Sequence, residues 1–183
     1  MSQIIFLHGA SSSGKTTLAR ALQLKAEVPF WHISIDHLRD SGVLPMQRFQ
    51  RGDFDWSAER ARTFEGFHAS LAAYANAGNN LIIEHILDTP GWIEALKQGL
   101  TDHDVLFVGV HCPIELLNQR ETARGDRKPG SAARDQQTIH RGRVYDLQVH
   151  APDGIEVNVD LILDAWRSGT RISEFASRHS SKV

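Results

Sequence analysis

The feature that most constrains this chain is residues 9–16, with the sequence GASSSGKT. It fits the phosphate-binding loop pattern, in which a glycine and four further residues precede glycine, lysine and serine or threonine. The apolar run before it, residues 4–7, is typical of a short buried strand. The leucines and alanines of residues 18–24 recur as on one face of a helix. A strand, a glycine-rich loop and a helix in this order predict a phosphate-binding site.

Each part of the loop has a chemical reason to hold phosphate. Glycines let successive backbone N–H groups face phosphate oxygens, and the start of the following helix adds a partial positive charge. The Lys15 ammonium can reach the outer phosphates, and the Thr16 hydroxyl can bind Mg²⁺. The predicted nucleotide-binding residues of the loop are Gly9, Ala10, Ser11, Ser12, Ser13, Gly14, Lys15, Thr16 and Thr17.

Composition limits the class of protein. The 183 residues suit a single domain, and 41% hydrophobic with 23% charged residues are ordinary for a globular protein. A formal net charge of -2, with no long basic run, argues against nucleic acid as a partner. No apolar run approaches the roughly 20 residues of a membrane helix, and Cys112 is the only cysteine. We expect a cytoplasmic protein with no membrane partner, while the oligomeric state stays open.

Strands and helices alternate along the chain. Strands are predicted at residues 4–7, 30–35, 81–83, 104–110 and 145–149. The first predicted helix directly follows the phosphate loop. Further helices are predicted at residues 57–77, from about residue 89 through residue 96, and at residues 113–123, 131–140 and 154–166. Residues 40–55 are interpreted as a loop with aromatic anchors, and the tail from residue 177 as frayed. The alternation predicts an α/β domain with a parallel five-stranded sheet and helices on both faces.

Polar residues follow two of the predicted strands, at the edge where open parallel sheets bind ligands. Asp36 can cap the next helix, or it can accept the proton of a substrate hydroxyl that attacks a γ-phosphate. Glu84 stands where phosphate-loop proteins often hold a carboxylate for Mg²⁺ or water. The neighbouring His85 is interpreted as a structural or substrate-contacting residue. The residues alone leave these alternatives open.

The charge cluster at residues 120–128 also has two interpretations. It can be a solvated helix end, or a lid whose guanidinium groups cover phosphates during transfer. Arg120, Arg124 and Arg127 are three or four residues apart, which places them near one face of a helix. We predict an arginine-rich lid over about residues 120–140.

Several of these stretches together resemble the chloramphenicol phosphotransferase-like kinases. The resemblance lies in residues 5–16, 35–38, 107–112, 120–127, 139–140 and 144–149, of which the block RETARGDR at 120–127 is the most specific. It implies a P-loop kinase fold and ATP-dependent transfer of a phosphoryl group to a hydroxyl of a small molecule, with ATP and Mg²⁺ as cofactors. It also implies that Asp36 is the general base. Arg120, Arg124 and Arg127 match the lid arginines near the adenine and the transferring phosphate.

The acceptor side departs from the chloramphenicol enzyme, because residues 40–56 differ and Glu84-His85 replaces aspartates. We therefore expect a small hydroxylated acceptor with an apolar or ring-bearing body, rather than chloramphenicol. The predicted acceptor-pocket residues are His37, Phe49, Phe54, Trp56, Glu84 and His85. One alternative is a nucleotide or sugar-nucleotide kinase of the same fold, using Arg39, Arg48 and Arg51; another is an ATP-dependent switch protein.

Overall fold

A parallel sheet forms the centre of the computed structural model, which describes residues 1–124 and 131–176. Its strand order is β2-β3-β1-β4-β5, and all neighbouring strands are parallel. The strands are β1 (Gln3–His8), β2 (Phe30–Ser34), β3 (Asn80–His85), β4 (Asp104–His111) and β5 (Leu147–His150). The helices are α1 (Lys15–Lys25), α2 (Ile35–Asp40), α3 (Met46–Gln50), α4 (Trp56–Asn76), α5 (Trp92–Gly99), α6 (Ile114–Arg124), α7 (Ser131–Thr138) and α8 (Ile155–Ser168).

The sheet buries both of its faces. Alternate residues of β1 point to opposite sides, so that Ile4 and Phe6 join one core while Ile5 and Leu7 join the other. The first core lies against α4 and α5, and the second lies against α1 and α8. Nearly continuous apolar strands are required when helices cover a parallel sheet on two sides. The predicted parallel five-stranded sheet with helices on both faces is confirmed.

The segment after β2 is more helical than the sequence indicated. The second strand ends at Ser34, whose hydroxyl accepts a hydrogen bond from the Asp36 N–H and caps α2. Asp36 therefore lies in the first turn of a helix and is not itself the cap. Residues 40–55, predicted to be a loop, contain the short helix α3. The turn residues around it obscured this five-residue helix, whose aromatic residue Phe49 packs against Phe54 and Trp56.

The long helix α4 begins at Trp56, one residue before the predicted start. Its N-cap is Asp55, whose side chain accepts a hydrogen bond from the N–H of Ser57. Phe64 and Leu71 are buried, whereas Tyr74 is exposed and contacts the ring of Trp31. Within the described residues, the helices are too short or too polar to cross a membrane.

Candidate active site

A cavity of about 670 Å³ lies beyond the carboxyl ends of β1, β2 and β3. Residues of the phosphate loop line it, together with residues from α2 and α4. Ligands of open parallel sheets bind at this edge. Its polar lining is Ser11, Ser12, Thr16, Thr17, Ser34, Asp36, Arg39, Arg60, Glu84, His85, Asp88 and Arg120, with Gly14 and Lys15. Its apolar lining is Ile35, Leu44, Met46, Trp56, Phe64, Ile86, Ala123 and Ile155.

The phosphate loop has the backbone of an anion-binding turn. Ser12 has a φ of 60°, which non-glycine residues adopt rarely, and Gly14 has a φ of 105°. The Lys15 ammonium is buried and donates hydrogen bonds to the carbonyl oxygens of Gly9 and Ala10, each at 2.7 Å. The lysine thus folds back over its own loop, with its charge held at the cavity surface. Gly9, Ala10 and Ser13 lie behind that surface, whereas the other loop residues predicted to bind nucleotide line the cavity.

The first glycine of the loop is packed against the neighbouring strand. A Cβ atom at Gly9 would lie 2.4 Å from the carbonyl oxygen of Val110 and 3.0 Å from Ser13 Oγ. Such a contact with a backbone carbonyl cannot be relieved by rotating a side chain. The position therefore requires glycine, because β4 leaves no room for any side chain.

The Thr16 hydroxyl and the Glu84 carboxylate lie in contact at the start of α1. The Thr16 hydroxyl donates to Glu84 Oε1 at 2.8 Å, and the His32 ring lies 3.0 Å from Glu84 Oε2 through its Nε2. Burial would raise the pKa of Glu84, but the hydrogen bonds from His32 and Thr16 and the charge of Lys15 lower it below its usual value. Glu84 therefore carries a negative charge beside Thr16. A hydroxyl and a carboxylate side by side are suitable oxygen ligands for Mg²⁺.

Asp36 lines the cavity from the first turn of α2. Its Oδ1 lies 3.1 Å from Nη1 of Arg39, one helical turn later, and Nε of Arg39 donates to Asp40 at 2.7 Å. Arg39 itself lines the cavity. The Asp36 carboxylate is thus paired with an arginine of its own helix beside the cavity.

Arg120 lies on the phosphate loop. Its Nη1 donates to the Ser12 carbonyl at 3.2 Å and lies 3.8 Å from the Cys112 sulfur. The resemblance implies that Arg120, Arg124 and Arg127 lie near the adenine and the transferring phosphate, and Arg120 here contacts the backbone of the predicted phosphate loop. Arg124 ends α6, and Arg127 lies outside the described residues.

Three residues predicted for the acceptor pocket do not line the cavity. Phe49 packs edge-on against Phe54 and Trp56, with ring centroids 5.8 and 5.3 Å away, and the His37 ring packs on His32. The aromatic side chains of this segment mainly stabilise the segment itself, because each ring packs against another ring within the segment or beside it. Trp56, Glu84 and His85 do line the cavity.

The structure adds residues that the sequence did not single out for the pocket. Arg60 and Phe64 lie on α4, and Asp88 lies between β3 and α5; all three line the cavity. The i, i+4 spacing of Trp56, Arg60 and Phe64 was visible in the sequence. That spacing alone does not show whether these side chains turn toward the core or toward a cavity.

Buried histidines support the floor of the cavity. His85 Nε2 lies 2.9 Å from His68 Nε2, and burial lowers the pKa of His85 to about 3 and that of His68 to about 4. His8 accepts from the Leu87 N–H through Nδ1 and donates to the Ile139 carbonyl through Nε2. Burial lowers the pKa of His8 to about 3. These rings are neutral at physiological pH, so they support the site without adding charge to it.

Sequence comparison decides the family. The chain matches the chloramphenicol phosphotransferase-like protein family over residues 2–165. It belongs to that family. Two curated proteins of Mycobacterium tuberculosis, from strains CDC 1551 and H37Rv and provisionally named O-phosphotransferases, are 30% identical to it. The match covers 80% of this chain and 74% of each relative.

Solved structures agree with this family in fold. The Mycobacterium tuberculosis APS kinase in complex with AMPPNP and APS has a TM-score of 0.68 at 17% identity, covering 91% of this chain and 98% of that one. Shikimate kinase from Aquifex aeolicus has a TM-score of 0.59 at 19% identity, covering 91% and 97%. At such identities the likeness shows the fold alone. The family and the fold together confirm the prediction of a kinase or phosphotransferase with a P-loop.

Proposed function

We propose that this member of the family transfers the γ-phosphoryl group of ATP to a hydroxyl group of a small molecule. One observation carries the proposal: the phosphate loop and Asp36 line the same cavity. Phosphoryl transfer needs the donor phosphate and a base for the attacking hydroxyl on opposite sides of the reacting phosphorus. Residues suited to both roles line this cavity.

The phosphates of ATP would bind along the cavity side of the loop. The backbone N–H groups of residues 11–17 and the start of α1 favour negative charge there. Lys15 would exchange its two carbonyl acceptors for phosphate oxygens, since its ammonium lies at the loop surface. Arg120, already on the loop, would add a second cation beside the phosphates.

Thr16 and Glu84 would hold Mg²⁺ together. The Thr16 hydroxyl and the ionised Glu84 are already hydrogen-bonded, and both are hard oxygen donors. When bound, the ion would neutralise charge that develops on the phosphate oxygens. His32 holds the other Glu84 oxygen and so fixes the orientation of the carboxylate.

The acceptor hydroxyl would bind on the side of Asp36. Its oxygen forms a bond to the γ-phosphorus, the bond from that phosphorus to the bridging oxygen of ADP breaks, and ADP leaves with the electron pair. Asp36 accepts the hydroxyl proton, and Arg39 keeps the carboxylate pointed at that proton. We extend the proposal to Arg124 and Arg127, whose guanidinium groups would cover the transferring phosphoryl group from the lid.

A coupled assay of ADP release tests this function. Purified protein with ATP and Mg²⁺ is screened against hydroxylated metabolites and antibiotics, and the product is identified by ³¹P NMR as a phosphate monoester. We expect ADP release that depends on one class of acceptor. ADP release that no acceptor stimulates, coupled to a change in affinity for a protein, would instead support a nucleotide-dependent switch.

A further inference from the structure

His8 ends β1 and directly precedes the phosphate loop. Its side chain is fully buried, and so are the apolar side chains of residues 4–7 before it in the strand. A buried imidazole costs free energy unless its nitrogens have hydrogen-bond partners. Both nitrogens of His8 have partners, and the two partners belong to different segments of the chain.

The His8 ring connects two segments that are far apart in the sequence. Its Nδ1 accepts a hydrogen bond from the Leu87 N–H at 3.3 Å, and its Nε2 donates to the Ile139 carbonyl at 3.1 Å. Leu87 belongs to residues 84–88, and the other four residues of that range line the cavity. Ile139 directly follows α7 and packs in one apolar cluster with Ala10 of the phosphate loop. We call residues 84–88 the cavity-lining segment.

Neighbouring rings hold this imidazole in one orientation. Its centroid lies 5.9 Å from that of Phe107, 6.1 Å from that of Tyr145 and 5.3 Å from that of His140. The Tyr145 hydroxyl and Nδ1 of His140 are themselves 2.7 Å apart. A rotation of the His8 ring would break both of its hydrogen bonds and displace these closely packed neighbours. The ring therefore acts as a rigid spacer between the segments that it joins.

We propose that His8 is a positioning residue for phosphoryl transfer, which keeps the phosphate loop at a fixed distance from the cavity-lining segment. This inference rests on the proposed function, and it adds a residue whose side chain does not itself line the cavity. The pairing of β1 with β3 reaches His8 and His85, and the bond to Leu87 continues this connection beyond the sheet. The same two parts of the chain meet again beside the cavity, where the Thr16 hydroxyl donates to Glu84 at 2.8 Å.

Loss of this spacer should lower the rate of transfer more than the binding of nucleotide. The backbone N–H groups and the Lys15 ammonium that would hold ATP belong to the loop itself, so they stay together without His8. Transfer also requires the correct distance between the loop and the cavity-lining segment. A displacement of about 1 Å can cost about 10²-fold in rate, so we expect His8→Leu to lower the rate about 10–100-fold.

His103 is a matched control for His8 at the opposite edge of the sheet. It is buried and directly precedes β4, so it lies at the amino ends of the strands, whereas the cavity lies beyond their carboxyl ends. Its Nδ1 accepts from the Ser2 N–H at 3.3 Å, and its Nε2 lies 3.0 Å from Asn76 Oδ1. A purely structural role of these bonds predicts the same result of substitution at both histidines.

A comparison of wild-type, His8→Leu, His8→Gln and His103→Leu proteins tests the proposal. Urea unfolding measures stability, calorimetry measures AMPPNP affinity, and ADP formation is followed first with water as the acceptor and then with acceptors from the screen. Both leucine variants should lose stability, because each leaves buried polar groups without partners. Only His8→Leu should lose rate per folded molecule, with AMPPNP affinity nearly unchanged. His8→Gln, whose amide has one acceptor and one donor group, should recover most of the rate.

His8→Asn provides the test if His8→Leu does not fold. Its oxygen can take the place of Nδ1 and accept from Leu87, but the shorter side chain does not reach the Ile139 carbonyl. The rate should therefore be lower in His8→Asn than in His8→Gln.

Equal rates per folded molecule in His103→Leu and in the His8 variants would overturn the proposal. A loss of AMPPNP affinity as large as the loss of rate would also overturn it, because the loop itself would then be damaged. Failure of the proposed function is seen in the wild type instead, as ADP release that no acceptor stimulates, and it would overturn both proposals.

Discussion

The two sides of the cavity are built in different ways. On the phosphate side, one continuous loop and the start of α1 supply backbone N–H groups, the Lys15 ammonium and the Thr16 hydroxyl. On the acceptor side, α2, α4 and the segment after β3 each contribute side chains. The phosphate side is therefore determined by local backbone geometry, whereas the acceptor side is determined by tertiary packing. The phosphate side should therefore tolerate few substitutions, whereas the acceptor side can change its ligand through a few side chains.

Lys15→Ala should have the largest effect, because it removes the central cation of the phosphate side. We expect transfer to fall about 10³–10⁵-fold, the range for losing a cation that stabilises a transferring phosphoryl group. Circular dichroism should show an intact fold. Lys25→Ala, at the exposed end of the same helix, is the matched control and should retain activity. Normal turnover in a folded Lys15→Ala protein would remove the basis for assigning the phosphate side.

Asp36→Asn tests the proposed general base on the acceptor side. The amide keeps the shape but cannot accept the proton, so kcat should fall about 10²–10⁴-fold with nucleotide affinity nearly unchanged. Asp40→Asn alters the other carboxylate on Arg39 and should have a much smaller effect on kcat. Equal losses of kcat in the two variants would mean that both carboxylates act by holding Arg39, and that Asp36 is not a base.

Glu84→Gln tests whether Glu84 belongs to the phosphate side, as a ligand of Mg²⁺, or to the acceptor side. The amide loses the charge beside Thr16, so the Mg²⁺ concentration for half-maximal activity should rise about 10–100-fold, the usual effect of disturbing a metal site and its supporting contacts. Saturating Mg²⁺ should restore most of kcat. If acceptor KM changes instead, Glu84 belongs to the acceptor side.

His8→Gln is expected to have the smallest effect, and it tests how the buried ring of His8 makes stability depend on pH. The folded pKa of His8 is lowered to about 3 from 6.5, so below about pH 6.5 the unfolded chain binds a proton that the folded chain does not. Wild-type stability should therefore fall as pH decreases from about 7 to about 5, by up to about 1.4 kcal/mol per pH unit for this histidine. Urea unfolding at several pH values should show a shallower slope in the variant. An unchanged slope would show that other groups, such as His85, govern the acid sensitivity.

The same contrast explains what the sequence could predict. The loop before α1 and the sheet depend on neighbouring residues or on strong periodicity, and the structure has them where the sequence indicated. The acceptor side depends on which of several aromatics turn inward. Phe49 and Phe54 pack on their own segment, and Phe64 faces the cavity instead. Composition does not distinguish these cases, because packing between distant segments decides them.

The packing of Gly9 against the Val110 carbonyl changes how damage to the phosphate loop should be interpreted. A side chain at this position would push the loop after β1 away from the end of β4, before any nucleotide is present. An inactive Gly9 variant would therefore report a displaced loop rather than a lost contact of Gly9 with phosphate. The first residue of the nucleotide motif is thus required by packing between strands, and its identity would be maintained even in a relative that had lost its catalytic activity.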